Sequence, residues 1–300
     1  MKKIFALFFI VMLGFGAQAQ RYNLGVGLRA GATGFLGDIG SGDLARDFVF
    51  NMELADTRWA VGPFVRWRFH PLFALQGGLT YGRIQGMDSN SDNRARRGRN
   101  LNFTNDIFDV HAKFEYYPQI LAVSDVGFRG RYRTDYQTYF FVGAGAVIHN
   151  PKGQLNGEGS SIKLRPLMTE GVKYSPVAFQ MPMGFGFFFT HKRVHRFGFE
   201  FSWSWTFTDY LDDISTVYVE HTPGSLAAQM ANQYVDQPDV PEGVQYGPGS
   251  PRGDPTDRDN YMFVTISYSH LYRIGNSFSR RNYSWMYGRK RKFGGTKAKF

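Results

Sequence analysis

The sequence predicts an all-β fold, an eight-stranded antiparallel transmembrane β-barrel of the outer-membrane kind. Three observations predict it. Eight runs alternate apolar residues with small or polar ones at a period of two, the mark of half-buried strands. The connections are long at one end and mostly short at the other. The chain opens on an export leader and holds no cysteine.

Residues 1–19 read MKKIFALFFIVMLGFGAQA. Lys2 and Lys3 form a positive head, Ile4 to Phe15 an apolar stretch, and Ala17-Gln18-Ala19 a small-x-small cleavage site. The apolar stretch is short for a spanning helix, which needs about 20 residues. A cleaved signal peptide is therefore expected, with a barrel over residues 20–275 and a tail over 276–300. The absence of cysteine removes disulfide, thiol-nucleophile and cysteine–metal chemistry.

The alternating runs follow in order. Leu24, Val26, Leu28, Ala30 and Ala32 share one face of the first, against Gly25, Gly27, Arg29 and Gly31. Val61, Pro63, Val65, Trp67 and Phe69 oppose Arg66, Arg68 and His70 in the second. Phe73 to Tyr81 gives the third. In the fourth, Phe108, Val110, Ala112, Phe114 and Tyr116 oppose Asp109, His111, Lys113 and Glu115. Runs beginning at Phe140 and Val177 supply the fifth and sixth. The seventh places Phe197, Phe199, Phe201, Trp203, Trp205 and Phe207 on one face, with Gly198, Glu200, Ser202 and Ser204 on the other. Met262, Val264, Ile266, Tyr268 and Tyr272 form the eighth, against Thr265, Ser267 and Ser269.

A soluble sandwich would favour aliphatic residues on its buried faces and charged ones outside. Here the second faces are rich in Gly and Ser, sizes suited to a narrow interior. The apolar faces carry rings at their ends, as aromatic girdles do at membrane interfaces. The six rings of the seventh run are accordingly expected to face lipid. An even number of strands closes the sheet, so no edge is left unpaired in lipid.

With the N-terminus in the periplasm, the outward connections are 36–58, 88–106, 150–176 and 212–258. The returning ones are His70-Pro71-Leu72, 118–136 and His191 to His195, of which only 118–136 is long. The loop 212–258 ends in DQPDVPEGVQYGPGSPRGDP, a composition expected to be mobile.

The second faces bring Arg29, Arg66, Arg68, His70, Asp109, His111, Lys113, Glu115 and Glu200 into one lumen. Eight strands leave an interior just wide enough to be filled by side chains. Charges there must pair or be hydrogen-bonded. A salt-bridged plug is expected over a proton or ion path, because nothing orients one pair for chemistry. No catalytic residue, metal site or cofactor is expected, and no small-molecule substrate. Asp209, Asp212 and Asp213 could bind calcium at the rim, but solvated loop acids or arginine partners are the expectation. Arg94, Arg96, Arg97 and Arg99 form a basic cluster that suits anionic lipopolysaccharide, and equally a solvated loop.

The net charge of +10 belongs to the ends. Lys2, Lys3 and the cations of 276–300 account for all of it, leaving residues 20–275 neutral. The tail mixes Arg289, Lys290, Arg291 and Lys292 with Trp285 and other rings. That mixture would suit nucleic acid, which the exported compartment argues against. Contact with inner-leaflet headgroups, docking to an acidic periplasmic partner, and plain disorder remain open.

The stretches NLGVGLRAGATGFLGDIG, VGPFVRWRFHPLFALQGGLTYGRIQG, RNLNFTNDIFDV, LRPLMTEG, YSPVAFQMPMGFG and FTDYLDDIST resemble the PorG family of outer-membrane β-barrels. That family serves the type IX secretion system of Bacteroidetes. FLGDIG and FTDYLDDIS are the most specific pieces, and most of residues 22–219 is covered. The resemblance implies a non-enzymatic role: a multi-pass barrel in outer-membrane lipid, contacting the periplasmic ring of PorK and PorN. It brings no catalytic residues. The topology adds where contacts could lie, namely Arg129, Arg131 and Arg133 in 118–136 and the cations and Trp285 of the tail. Two alternatives stand beside it. One is a stand-alone barrel acting as adhesin or lipid-interacting protein through its outer loops. The other, ranked last, is a lipid-modifying enzyme, for which His270 lacks an evident serine–acid partner.

Overall fold

The structure, a computed structural model, describes residues 24–40, 56–91, 93–123, 134–192, 194–235 and 243–272. The expected leader and tail lie outside the described residues, as do Arg129, Arg131 and Arg133. Among the described residues, eleven strands form one antiparallel sheet: β1 (Leu24–Leu36), β2 (Arg58–His70), β3 (Phe73–Met87), β4 (Asn102–Tyr116), β5 (Ala122–Val123), β6 (Thr134–Ile148), β7 (Lys152–Leu155), β8 (Glu158–Lys163), β9 (Val177–His191), β10 (His195–Thr206) and β11 (Asn260–Tyr272).

Eight of them close a barrel in the order β1-β2-β3-β4-β6-β9-β10-β11, with β11 returning to β1. Closure leaves none of these eight strands an open edge, which is what a strand needs where no water can satisfy its backbone. No helix among the described residues is long and apolar enough to cross a membrane. The strands run 12–15 residues, longer than the roughly 9–11 that a bilayer requires. Their ends therefore stand beyond a hydrocarbon layer.

The period-two reading holds along the walls. Leu28 is 62% exposed and Ile266 68%, both pointing outward from the middle of paired strands, where Ala30 lies opposite Ile266. Around them Trp59, Trp67, Phe108, Phe114, Phe179 and Trp205 are exposed on the same surface. Phe197 and Phe207 are exposed, while Phe199, Phe201 and Trp203 are half covered, the first two by the neighbouring rings of Phe187 and Phe185. An outer surface this apolar on a closed sheet is costly in water and fits lipid.

Several boundaries differ from the expectation. β3 and β4 pair as far as Met87 with Asn102, so the second outward loop is 88–101 rather than 88–106. β6 begins at Thr134, well before Phe140. For the β3–β4 loop the reason is a change of polarity along the lumen. Toward the long-loop end the inward positions turn apolar: Ile84, Phe103, Ile107, Val147, Ala178 and Phe263 pack with Ile39, Leu211 and Ile214 into one buried cluster. The barrel thus has an apolar stopper at that end above a polar middle. His70 also departs from expectation. It is exposed at the β2–β3 turn, where its Nδ1 accepts from the Leu72 backbone N–H at 3.2 Å, and does not enter the lumen.

Candidate functional site

The middle of the lumen is a continuous ion-paired network. Glu200 on β10 is its centre. It accepts from Arg29 (2.9 Å), Lys113 (2.8 Å) and Tyr139 (2.7 Å), and a nitrogen of Arg66 lies 3.8 Å away. Arg66 Nε reaches Glu115 at 2.9 Å, and the Tyr117 hydroxyl donates to the same carboxylate. Asp109 accepts from His111 Nδ1 (2.7 Å), Gln180 (3.2 Å) and Tyr261 (2.7 Å). All of these groups are buried. A charge removed from water costs several kcal/mol unless its lone pairs and protons are met, so this many mutual partners is what allows the charges to remain.

Glycine makes the network possible at one position in particular. A Cβ at Gly186 would lie 2.5 Å from the ring and hydroxyl of Tyr139. Gly186 pairs with Glu200 across β9 and β10, so its missing side chain is the space through which Tyr139 reaches the carboxylate. Arg29, Arg66, Arg68, Asp109, His111, Lys113, Glu115 and Glu200 are all buried, with their ion pairs and ring contacts inside the barrel. Gln76 and Gln180, on the second faces of their runs, are buried beside them, and so are Arg196, Tyr139 and Tyr261, which the alternation was not used to place. The signal was available for Arg196, which shares the parity of Glu200.

The long-loop end carries a second network, a cap that interlocks four connections. A short helix, α1 (Arg94–Arg99), starts at Asn93, whose side chain accepts from the Ala95 and Arg96 N–H groups. It delivers Arg99, which holds Asp88 through two bonds of 2.7 and 2.9 Å and donates to the carbonyls of Asp38 (2.6 Å) and Arg252 (2.5 Å). Arg252 donates to Glu170 (3.0 Å), Thr169 (3.1 Å) and the Asp213 carbonyl (2.8 Å). Glu170 in turn accepts from the backbone N–H groups of Ser215 and Thr216. Asp213, at φ 74°, accepts from Thr169 and Tyr174, both at 2.5 Å. Asp212 accepts from the N–H of Ile39 (3.1 Å) and of Ile214 (3.0 Å). A second helix, α2 (Leu226–Ala231), sits against the β7–β8 hairpin, with Met230 and Ala231 buried.

These positions correct three expectations. Asp212 and Asp213 are not solvated loop acids: they are 0% and 1% exposed and tie loops together, and Asp213 meets the arginine-partner half of the expectation, 4.0 Å from Arg252. Among the described residues no cluster of carboxylates and histidines is arranged to hold a metal ion. Arg99 is likewise not part of a solvated basic patch. Residues 243–255, expected to be mobile, include the buried anchor Arg252 and a bridge of Pro251 to Val217; 236–242 lie outside the described residues. A cleft of about 650 Å³ opens beside α1, lined by Arg96, Arg99, Val244, Tyr246 and Arg252.

The cap is acidic at its base. Burial pushes the Asp38 carboxyl up to about 6, an effect that Arg99 and Arg96 only partly offset. Burial likewise pushes Asp209 up to about 7. Asp212 and Asp259 are raised well above the ordinary carboxylate range, by burial first and by neighbouring aspartates second.

The segments that carry the family resemblance meet here. FLGDIG supplies Asp38 and Ile39, LRPLMTEG supplies Thr169 and Glu170, and FTDYLDDIST supplies Asp212, Asp213 and Ser215. They are far apart in sequence and form one hydrogen-bonded unit.

A closed eight-stranded sheet, apolar outside and ion-paired within, defines a β-barrel of the outer-membrane type. The chain belongs to the DUF6089 family, described as a domain of unknown function, which it matches over residues 2–221. No curated protein matches it. Among solved structures it is similar to Ail, the attachment invasion locus protein of Yersinia pestis, in complex with the heparin analogue sucrose octasulfate. The identity is 9% and the TM-score 0.34, over 84% of this chain and 100% of that one. It is also similar to a major outer membrane protein from Thermus thermophilus, at 12% identity and a TM-score of 0.29, over 83% of this chain and 99% of that one.

Proposed function

We propose that the protein resides in the outer membrane as a structural component of the type IX secretion system and contacts the periplasmic PorK/PorN ring. The observation that carries the structural side of this reading is the filled interior. An apolar stopper above a lumen crowded with ion pairs leaves the surfaces and ends of the barrel, rather than a path through it, to do its work. The same point supports a non-enzymatic role, since the buried carboxylates of the lumen are engaged with one another's cations. The assignment to type IX secretion rests on the sequence resemblance, whose most specific segments build the cap. In this orientation the cap faces outward, and the short turns, the 118–136 connection and the basic tail face the periplasm.

The test is capture from detergent-solubilised outer membrane. The full chain should bring down a lipoprotein ring, and deletion of 276–300 should weaken that capture. A barrel isolated alone would favour the second reading, a stand-alone barrel acting through its outer loops. The ordered cap with its cleft is the feature that favours that alternative. Ring recovery unchanged by the deletion would remove the tail from the proposal.

A further inference from the structure

Each of the three fully enclosed lumen carboxylates is committed. Glu200 holds Arg29 and Lys113, Glu115 holds Arg66, and Asp109 holds His111. Two buried arginines remain, Arg68 on β2 and Arg196 on β10, at 8% and 6% exposure. Among the described residues neither forms an ion pair. Arg68 donates to the Pro71 carbonyl at the tight turn, and its Nε is buried with no acceptor. Arg196 Nε has only the Thr190 hydroxyl, at 3.3 Å.

The two guanidinium groups gather on one aromatic cluster at the short-turn mouth. Arg68 lies 4.3 Å from the Tyr117 ring and Arg196 3.9 Å from that of Phe188, and those rings are 6.0 Å apart. Arg66 lies over Tyr139 in the same cluster, close enough for the three cations to repel. Ring faces attract cations but carry no net charge. The mouth therefore holds buried positive charge in excess, with forked donors free.

We propose that this mouth binds a phosphate group, held between Arg68 and Arg196. A guanidinium fork matches the oxygens of phosphate or carboxylate. Two forks reaching in from separate strands suit a tetrahedral group, which offers oxygens in more than one plane, better than a planar carboxylate. The phosphate could be a free ion or the headgroup of an inner-leaflet phospholipid. Only the second source rests on the membrane reading above, so failure of the secretion assignment leaves the site standing.

The test uses the full chain folded in a neutral, phosphorus-free detergent, with melting followed by tryptophan fluorescence. Inorganic phosphate is titrated against chloride at constant ionic strength, and phosphatidylglycerol is added in a separate series. The wild type should melt higher with one of them, saturably; free phosphate identifies an ion site, and phosphatidylglycerol alone a headgroup site. Arg196→Gln and Arg68→Gln should each weaken that response about tenfold or more. Without ligand they should melt no lower than the wild type, because each removes an uncompensated charge. If neither phosphate nor phosphatidylglycerol shifts the wild type, or if both variants respond as the wild type does, the proposal is overturned. Should the variants not fold, the wild-type titration decides.

Discussion

Replacing Glu200 by Gln keeps the shape of the lumen and removes the charge at its centre. Arg29 at 2.9 Å and Lys113 at 2.8 Å then lose their carboxylate, and Arg66 loses a second acidic neighbour at 3.8 Å. Breaking one buried pair while leaving its partner charged costs about 3–5 kcal/mol. Glu200 serves two close cations, and the amide still accepts one hydrogen bond, so a loss near the upper part of that range is expected. With a denaturant slope of about 3 kcal/mol per M, the urea midpoint of the detergent-folded barrel should fall by more than about 1 M. Adding Lys113→Met to Glu200→Gln should recover part of the loss, because the orphaned cation is gone, giving a coupling of about 1–3 kcal/mol in a double-mutant cycle. A Glu200→Gln barrel as stable as the parent would show that the lumen charges are hydrated independently, and the plug would not hold the barrel rigid.

Three further outcomes are expected. Ile266→Arg should cost about 2–4 kcal/mol of stability in bilayers, since Ile266 points outward at mid-height; an unchanged midpoint in lipid vesicles would contradict a lipid-facing wall. Gly186→Val should displace Tyr139 from Glu200 and lower stability by about 1–3 kcal/mol, read in the same urea assay. The cap should loosen as pH rises from 6 to 8. Carboxyls held near 6 and 7 in the folded cap, at Asp38 and Asp209, keep protons that the unfolded chain has already lost, so stability falls with rising pH until they ionise. His149, lowered to about 4 by burial, works the other way but only below about 6.5, where the unfolded imidazole protonates. Amide exchange in 207–218 and 243–259, corrected for its intrinsic pH dependence, should therefore be faster at pH 8 than at pH 6. Equal protection at both would refute the raised carboxyls.

The walls were legible because a strand between lipid and a packed lumen must alternate, and Phe197 to Phe207 does so without a break. Arg29, Arg66, Lys113 and Glu200 could be placed inside from parity alone. Two regions could not be read. The outer ends of β3 and β4 carry apolar residues inward, at Ile84 and Phe103, so the contrast that marks the middle of a strand reverses there. The cap has no period, and its partners are separated by as much as Asp38 from Asp254. Its aspartates look like solvated loop acids until the surrounding backbone N–H groups are seen. Arg196 follows the rule that found Glu200 and was passed over because it stands at the edge of the run.

The cap also sets an order of events for the chain as it assembles. Asp88, Arg99 and Glu170 are synthesised long before Arg252 and Asp259, which stand just ahead of β11. Asp88 and Arg99 can hold each other early, but Glu170 lacks its cation and the loops lack their mutual anchor until the final strand arrives to pair with both β10 and β1. Closing the cylinder and locking its lid become a single late step. A chain that stops short of residue 252 forfeits both, so an unfinished barrel would be marked as unfinished by the loose loops it presents.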